Sequence, residues 1–457
     1  MPQTLGEIAE PQQFETGIWK SVDALKAPLW VDGENVAFRK GQVEKARGYA
    51  SFITAGGAVN ALQQALVGGV RRVYMGLPTS LQYYPEGGSV TNLGTGYTSG
   101  AWSMSCFGNY LLATNNIEKL QLWPNTGSAL TVSDAPTTAR IVRQLNVFTV
   151  LFDANGNPGR FVWSDRGDPT TFTASLSNLA GGDYIRNISS RTQCAEEFGN
   201  GLACWSSEQM YLISYVGGSS VLSYRTLPAK VGAAGINAVA VDGQLAYGLE
   251  PRGFWKTDGY TVQWIADPAV WDFLSPRIDF TAGDEITCHW DAEYQCVEWH
   301  WKGTGAIGYE GWCYYPKTNA WAPRNWKLTA AISSAVWGKP LGANGTAVLK
   351  LATGVNLGSS AMPASIQTKP LAWGATDFYK WIDELRLRRS GSASFQVGLL
   401  DDPDGSISWL TAETMAERHF PMREAAFWVL KVYSTAVDVD WSLAGVEAFG
   451  AFGGQRL

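Results

Sequence analysis

Gly108–Trp123 reads G-N-Y-L-L-A-T-N-N-I-E-K-L-Q-L-W. A turn pair opens it, a short apolar run follows, a polar turn interrupts, and a second apolar run begins at a Leu. The same phrase recurs. Gly68–Tyr84 reads G-G-V-R-R-V-Y-M-G-L-P-T-S-L-Q-Y-Y, and Gly199–Tyr215 reads G-N-G-L-A-C-W-S-S-E-Q-M-Y-L-I-S-Y. Asp242–Gly259 reads D-G-Q-L-A-Y-G-L-E-P-R-G-F-W-K-T-D-G. Weaker copies start at Leu145 and Asp291. The copies lie about 45 residues apart, which is the length of four short antiparallel strands with their turns. Such a unit leaves two faces and two edges uncovered, and stacking units in a ring covers the faces. The expectation is an all-β chain built on a β-propeller. Six copies predict six blades; seven is the alternative, with the extra blade around Gly345–Gly354.

Composition agrees. The chain has 457 residues with 50 Gly and 21 Trp, so turn formers and large ring fillers are both abundant. Helical periodicity is scarce. Ala58–Val67 and Glu413–His419 are the helix candidates, and the first reads equally well as a strand. Beyond residue 360 the pattern changes. D-F-Y-K-W-I-D-E-L-R-L-R-R at Asp377–Arg389 and S-F-Q-V-G-L-L at Ser394–Leu400 precede the turn D-D-P-D-G-S at Asp401–Ser406. Period-2 alternation between turns predicts a separate β-sandwich. The domain reading is therefore an extended N-terminal segment over 1–55, suited to docking or to closing the ring, then a propeller over 56–360. A C-terminal β-sandwich over 361–457 follows, with 361–370 as linker.

Several classes of function are disfavoured. Net charge is −6, with 35 basic against 41 acidic residues, the wrong balance for a cationic nucleic-acid clamp. No run reaches the roughly 18 apolar residues of a membrane helix, and no signal-peptide pattern opens the chain. The six cysteines occur singly and read as small buried residues; Cys288 and Cys296 are the one pair that could face each other across a hairpin. His289, His300 and His419 lack metal-ligand spacing. D-A-N-G-N-P-G at Asp153–Gly159 and D-D-P-D-G-S read as turns rather than calcium loops. W-S-D-R-G-D-P-T-T-F at Trp163–Phe172 departs from the turns of propeller sialidases, because no residue separates its Ser from its Asp. Arg39, Lys40, Lys45 and Arg47, with Arg386, Arg388 and Arg389, form weak basic clusters that read as solvated strand faces or as docking surfaces. No catalytic, cofactor-binding or metal-ligating residue is assigned, no cofactor is expected, and the chain is read as not being an enzyme.

Three segments carry a resemblance. Trp30–Phe52 has an Asn-Val, a Gly turn, a charged strand and Arg-Gly-Tyr; R-F-V-W-S-D-R-G-D-P-T-T-F runs to Phe172 before a Gly-Gly-Asp; and Met210–Val231 leads into Asp242–Gly259 and Trp264–Leu274. With the closing L-A-G-V-E-A-F-G, they resemble the tail nozzle proteins of short-tailed bacteriophages, also called tail hub or packaged-DNA stabilisation proteins. The likeness covers nearly the whole chain in pattern rather than in strict motif. It implies a structural protein of the virion tail, made in the host bacterial cytoplasm, and a homo-oligomeric ring, a hexamer, below the portal and adaptor. Fibres or spikes would adjoin it, and double-stranded DNA would pass through the lumen without sequence-specific binding. No stable membrane insertion is implied. The rival readings are a receptor-binding or scaffold propeller and a carbohydrate-active propeller enzyme.

Overall fold

The computed structural model describes residues 3–20, 26–218, 220–374 and 376–455. Among the described residues seven sheets form the propeller, six of them wholly antiparallel and the seventh with one parallel pair, Leu357 opposite Tyr49. Blade 1 comprises Ala61–Val67, Val70–Leu77, Ser80–Pro85 and Thr91–Thr95. Blades 2, 3 and 4 start at Ser103, Ile141 and Cys194, and end at Thr131, Tyr184 and Thr226. Blade 5 runs from Val239 to Trp264 and blade 6 from Thr287 to Arg324. Each is a meander of four strands in chain order. The inner strand of each blade neighbours the next, and blade 7 returns to blade 1.

The blade count is thus seven, not the favoured six. Blade 7 contains Ala330–Ile332, Leu341–Asn344 and Ala347–Leu351. Its register explains why it was hard to read. Gly345, with φ +60°, turns between its second and third strands, whereas the repeats seen in the other blades mark the turn between the first and second. There the connection is the longer stretch 333–340. The fourth strand comes from the other end of the chain: Tyr49–Thr54 pairs antiparallel with Ala347–Leu351, with Ile53 opposite Val348. Ring closure by a distant strand removes two sheet edges at once.

Large side chains fill the spaces between blades. Trp205 of blade 4 stacks on Trp255 of blade 5 at 6.1 Å. Phe254 of blade 5 meets Trp299 and Trp321 of blade 6 at 5.0 and 4.8 Å. Some of the buried indole N–H groups find acceptors, Trp102 donating to the Leu77 carbonyl and Trp255 to that of Gly232, while that of Trp205 has none. Gly248 makes room, since a Cβ there would overlap the Trp255 ring.

Two further sheets form the sandwich. One holds Gln3–Ile8, Val36–Arg39, Gln42–Lys45, Phe378–Gly391, Arg418–His419, Arg423–Ala425 and Trp441–Gln455. The other holds Trp30–Glu34, Ala364–Thr368, Ser394–Leu400, Ser408–Trp409, Glu413–Thr414 and Phe427–Ser434. Phe38, Ile382, Leu385 and Val446 from the first share a core with Ile366, Phe395, Trp428 and Val432 from the second. Three expectations change here. The opening 55 residues are not simply extended: strands up to Lys45 complete the sandwich, and only Tyr49–Thr54 serves the propeller. The stretch 361–370 is not a bare linker, because Ala364–Thr368 lies between Trp30–Glu34 and Phe427–Ser434. Neither helix candidate is helical: Ala61–Val67 is the inner strand of blade 1, and Glu413–His419 contains two short strands. The longest helix described, Pro268–Leu274, has Asp267 as N-cap and Pro268 in its first turn, a start signal present in the sequence.

Candidate functional site

Two polar regions stand out: the joint between propeller and sandwich, and the propeller axis. At the joint, pairing of Thr287–Asp291 with Cys296–Lys302 sets His289 opposite Glu298 and Thr287 opposite His300. All four therefore project from one face of blade 6. On the same face Gly311 lies between His300 and Arg324. A side chain at Gly311 would collide with the His300 ring, so its absence lets the imidazole and guanidinium converge on Glu298. Glu298 shares a 2.6 Å hydrogen bond with His300 Nε2 and accepts one of 3.1 Å from Arg324 Nε. Arg324 also donates to the Tyr315 hydroxyl at 2.7 Å and to the Val36 carbonyl at 2.9 Å. That last bond crosses from the outer strand of blade 6 to the N-terminal hairpin.

Burial alone would raise the Glu298 carboxyl, but the hydrogen bond with His300 and the adjacent Arg324 outweigh it and hold it down at about 2. Burial pushes His289 the other way from a solvated imidazole, to about 4, with Glu298 opposing and Arg324 assisting. A cavity of about 30 Å³ beside these groups, lined by His289, Asp291, Glu298, Arg324 and Arg47, has room for about one water.

Around this centre the chain is stitched further. Arg47 donates to Tyr294 and pairs with Asp440 at 2.7 Å. Arg39 pairs with Glu44 and lies 4.0 Å from the Tyr294 ring centroid. Asn35, fully buried with φ +53°, binds Pro363 through its amide nitrogen, receives Asn325 N–H on its amide oxygen, and donates its backbone N–H to Pro323. Arg39 and Arg47 are therefore internal fasteners rather than a solvated basic face. Arg386 and Arg388 lie on the sandwich, paired with Glu384 and with Glu7 and Glu447.

The axis holds a cavity of about 1170 Å³ lined by the inner strands of all seven blades. Arg143 of blade 3 donates to Glu196 of blade 4 at 2.6 Å and to Ser103 of blade 2 at 3.0 Å. Gln64 of blade 1 donates to the Ser333 carbonyl of blade 7 at 2.7 Å. Polar groups here tie neighbouring blades.

Asp153 and Asp165, also singled out by sequence, serve as turn anchors. Asp153 accepts from Gly159 N–H, Thr192 N–H and Thr192 Oγ1. Asp165 accepts from Arg166 and Leu179 N–H. All six cysteines are free, and Cys288 cannot meet Cys296, because Cys288 sits opposite Trp299 while Cys296 sits opposite Asp291, which puts them on opposite faces. Sequence reasoning missed Asn35 and Arg324 as fasteners. The only local trace was an Arg directly after the apolar run A-W-A-P.

No protein-family model and no curated protein matches the chain. Among solved structures it is similar to the β-propeller domain of Cps50 (Swd1) from Myceliophteria thermophila. The TM-score is 0.42 at 9% identity, covering 67% of this chain and 99% of that one. The seven sheets, closed into a ring, make this an all-β protein of the propeller class.

Proposed function

We propose that the chain is a structural subunit of a short-tailed phage tail, a nozzle whose copies close into a ring around the path of the genome. One observation carries the reading: the two modules are sewn into a continuous unit. The N-terminal strand Tyr49–Thr54 closes the propeller, strands from both chain ends build the sandwich, and the buried Arg324–Glu298–His300 network fastens the two. A wall that withstands genome pressure needs such sewn ends. The axial cavity, at about 1170 Å³, is at the scale of small-ligand pockets, so the DNA path runs between copies and not through a propeller. A net charge of −6 per chain, multiplied around a ring, repels phosphates over about 8 Å at physiological salt and limits adhesion of the passing duplex. The axial cavity also supports a second reading, a propeller that holds a small polar ligand as part of a receptor-binding protein.

Antibodies against the purified chain test the proposal. They are expected to label the tail of intact virions below the head and to block DNA release. Virions labelled elsewhere, or not at all, would refute it.

A further inference from the structure

The inner-to-second-strand turns and the third-to-fourth-strand turns all lie on one face of the propeller, as a four-strand meander requires. On this face large apolar side chains stand in solvent. They are Leu66 and Val70 in blade 1, Tyr110 in blade 2, Val147 in blade 3, Tyr215 and Val216 in blade 4, and Leu245 in blade 5. Leu66 is 60% exposed and Val216 56%. Tyr215 stacks on Phe148 of the neighbouring blade at 5.8 Å, which links the row across blades 3 and 4. The turns among them, Gly68-Gly69, Gly108-Asn109, Asn146-Val147 and Gly199-Asn200, carry no charge.

A second apolar surface lies at the far end of the sandwich. Phe378 and Phe452 meet at 6.3 Å. Trp381 projects from the opposite face of the same sheet, and Phe420 and Met422 adjoin Arg423, which pairs with Ile382. The Gly391–Trp441 end of this sheet is the end at the propeller joint, where Asp440 meets Arg47. Phe378 lies a 14-residue strand away, or about 45 Å at roughly 3.3 Å per residue.

We infer that the propeller face of one copy receives the sandwich tip of the next, a head-to-tail contact between copies of this chain. At roughly 200 Å² per fully exposed large side chain, the two surfaces, leaving out Trp381 on the other face, offer about 600 and about 380 Å² of apolar area. A standard interface of about 1,600 Å², a little over half of it apolar, asks for about 900 Å². A two-fold contact of like with like would cover one surface and leave the other in water. A head-to-tail contact covers both, and repeated by a fixed rotation it closes a ring. The inference deepens the ring reading above and rests on it for the choice of a second copy as occupant.

Two double variants test it: Val147→Glu with Val216→Glu on the propeller face, and Phe420→Glu with Phe452→Glu on the sandwich tip. All four positions are exposed, so unfolding midpoints should match the parent, which separates lost contact from lost fold. Sedimentation and native mass measurement should show the parent associating beyond a dimer with rising concentration and each variant remaining monomeric. The equimolar mixture should form a heterodimer and stop there, since one intact surface of each kind remains. A parent that stays monomeric to about 1 mM, where even a weak contact of about −4 kcal/mol is populated, overturns the inference. So does a tip variant that dimerises by itself, or a mixture that stays monomeric. Mixed dimers with unlabelled virions would sink the nozzle and keep the contact; labelled virions without mixed dimers would do the reverse.

Discussion

Replacing Arg324 with Met tests whether the joint is held by charge. Arg324 is 6% exposed and gives hydrogen bonds to Glu298, Tyr315 and the Val36 carbonyl. Met keeps much of the volume and removes the cation. Glu298 is then left buried with His300 as its remaining charge-capable partner, and the Val36 carbonyl loses its donor. Breaking a buried pair from one side costs about 3–5 kcal/mol, because an uncompensated charge stays behind. Removing Glu298 as well should undo much of that cost. The double variant Glu298→Gln/Arg324→Met is expected to recover at least half of the loss, a coupling of about 2 kcal/mol between adjacent groups. Urea unfolding followed by tryptophan fluorescence gives the totals. Hydrogen exchange localises the loss to blade 6 and the hairpin at Val36. A single variant costing under about 1 kcal/mol, or a double variant showing simple additivity, would refute the idea that this network fastens the modules.

Acid should loosen the same joint. His289 is held at about 4 and Glu298 at about 2, both below their ordinary values near 6.5 and 4.5. The unfolded chain therefore binds more protons, and stability falls as pH drops from 6.5 to 4 through His289 and from 4.5 to 2 through Glu298. Each contributes up to about 3 kcal/mol; urea midpoints of a His289→Asn variant should be flatter over the upper window. Gly248→Val should cost about 1–3 kcal/mol by overpacking against Trp255, read as a lower melting temperature with red-shifted tryptophan emission. Ile53→Asp places a charge on the closing strand opposite Val348 and should cost several kcal/mol. Protease sensitivity should then appear first in blade 7; unchanged cleavage would mean that Tyr49–Thr54 does not close the ring.

The repeated turn–strand–turn phrase was legible because blade geometry is local. A short strand, a two-residue turn with positive φ at Gly108, Gly199 or Gly243, and a second strand are all written within about 15 residues. Inter-blade packing follows from the same phrase, since Trp and Tyr recur where blades stack. Blade 7 was legible only as an alternative around Gly345–Gly354, because its first connection is long and its last strand lies some 300 residues away in sequence, and periodicity carries no information about a partner that distant. The sandwich was legible only from its C-terminal strands for the same reason.

By itself, then, the sequence determined the unit: the all-β class, the meander, the turns, and the aromatic filling between blades. Tertiary structure decided what the units close into and which charges are spent inside. Arg39, Arg47 and Arg324 look like surface residues one at a time, and only the arrival of Tyr294 at Arg39, of Asp440 at Arg47 and of Val36 at Arg324 from remote parts of the chain turns them into fasteners. The physical reason is range. Turn chemistry and strand alternation act between neighbours along the chain, whereas a buried ion pair depends on which strands the fold brings together and on how much water it excludes.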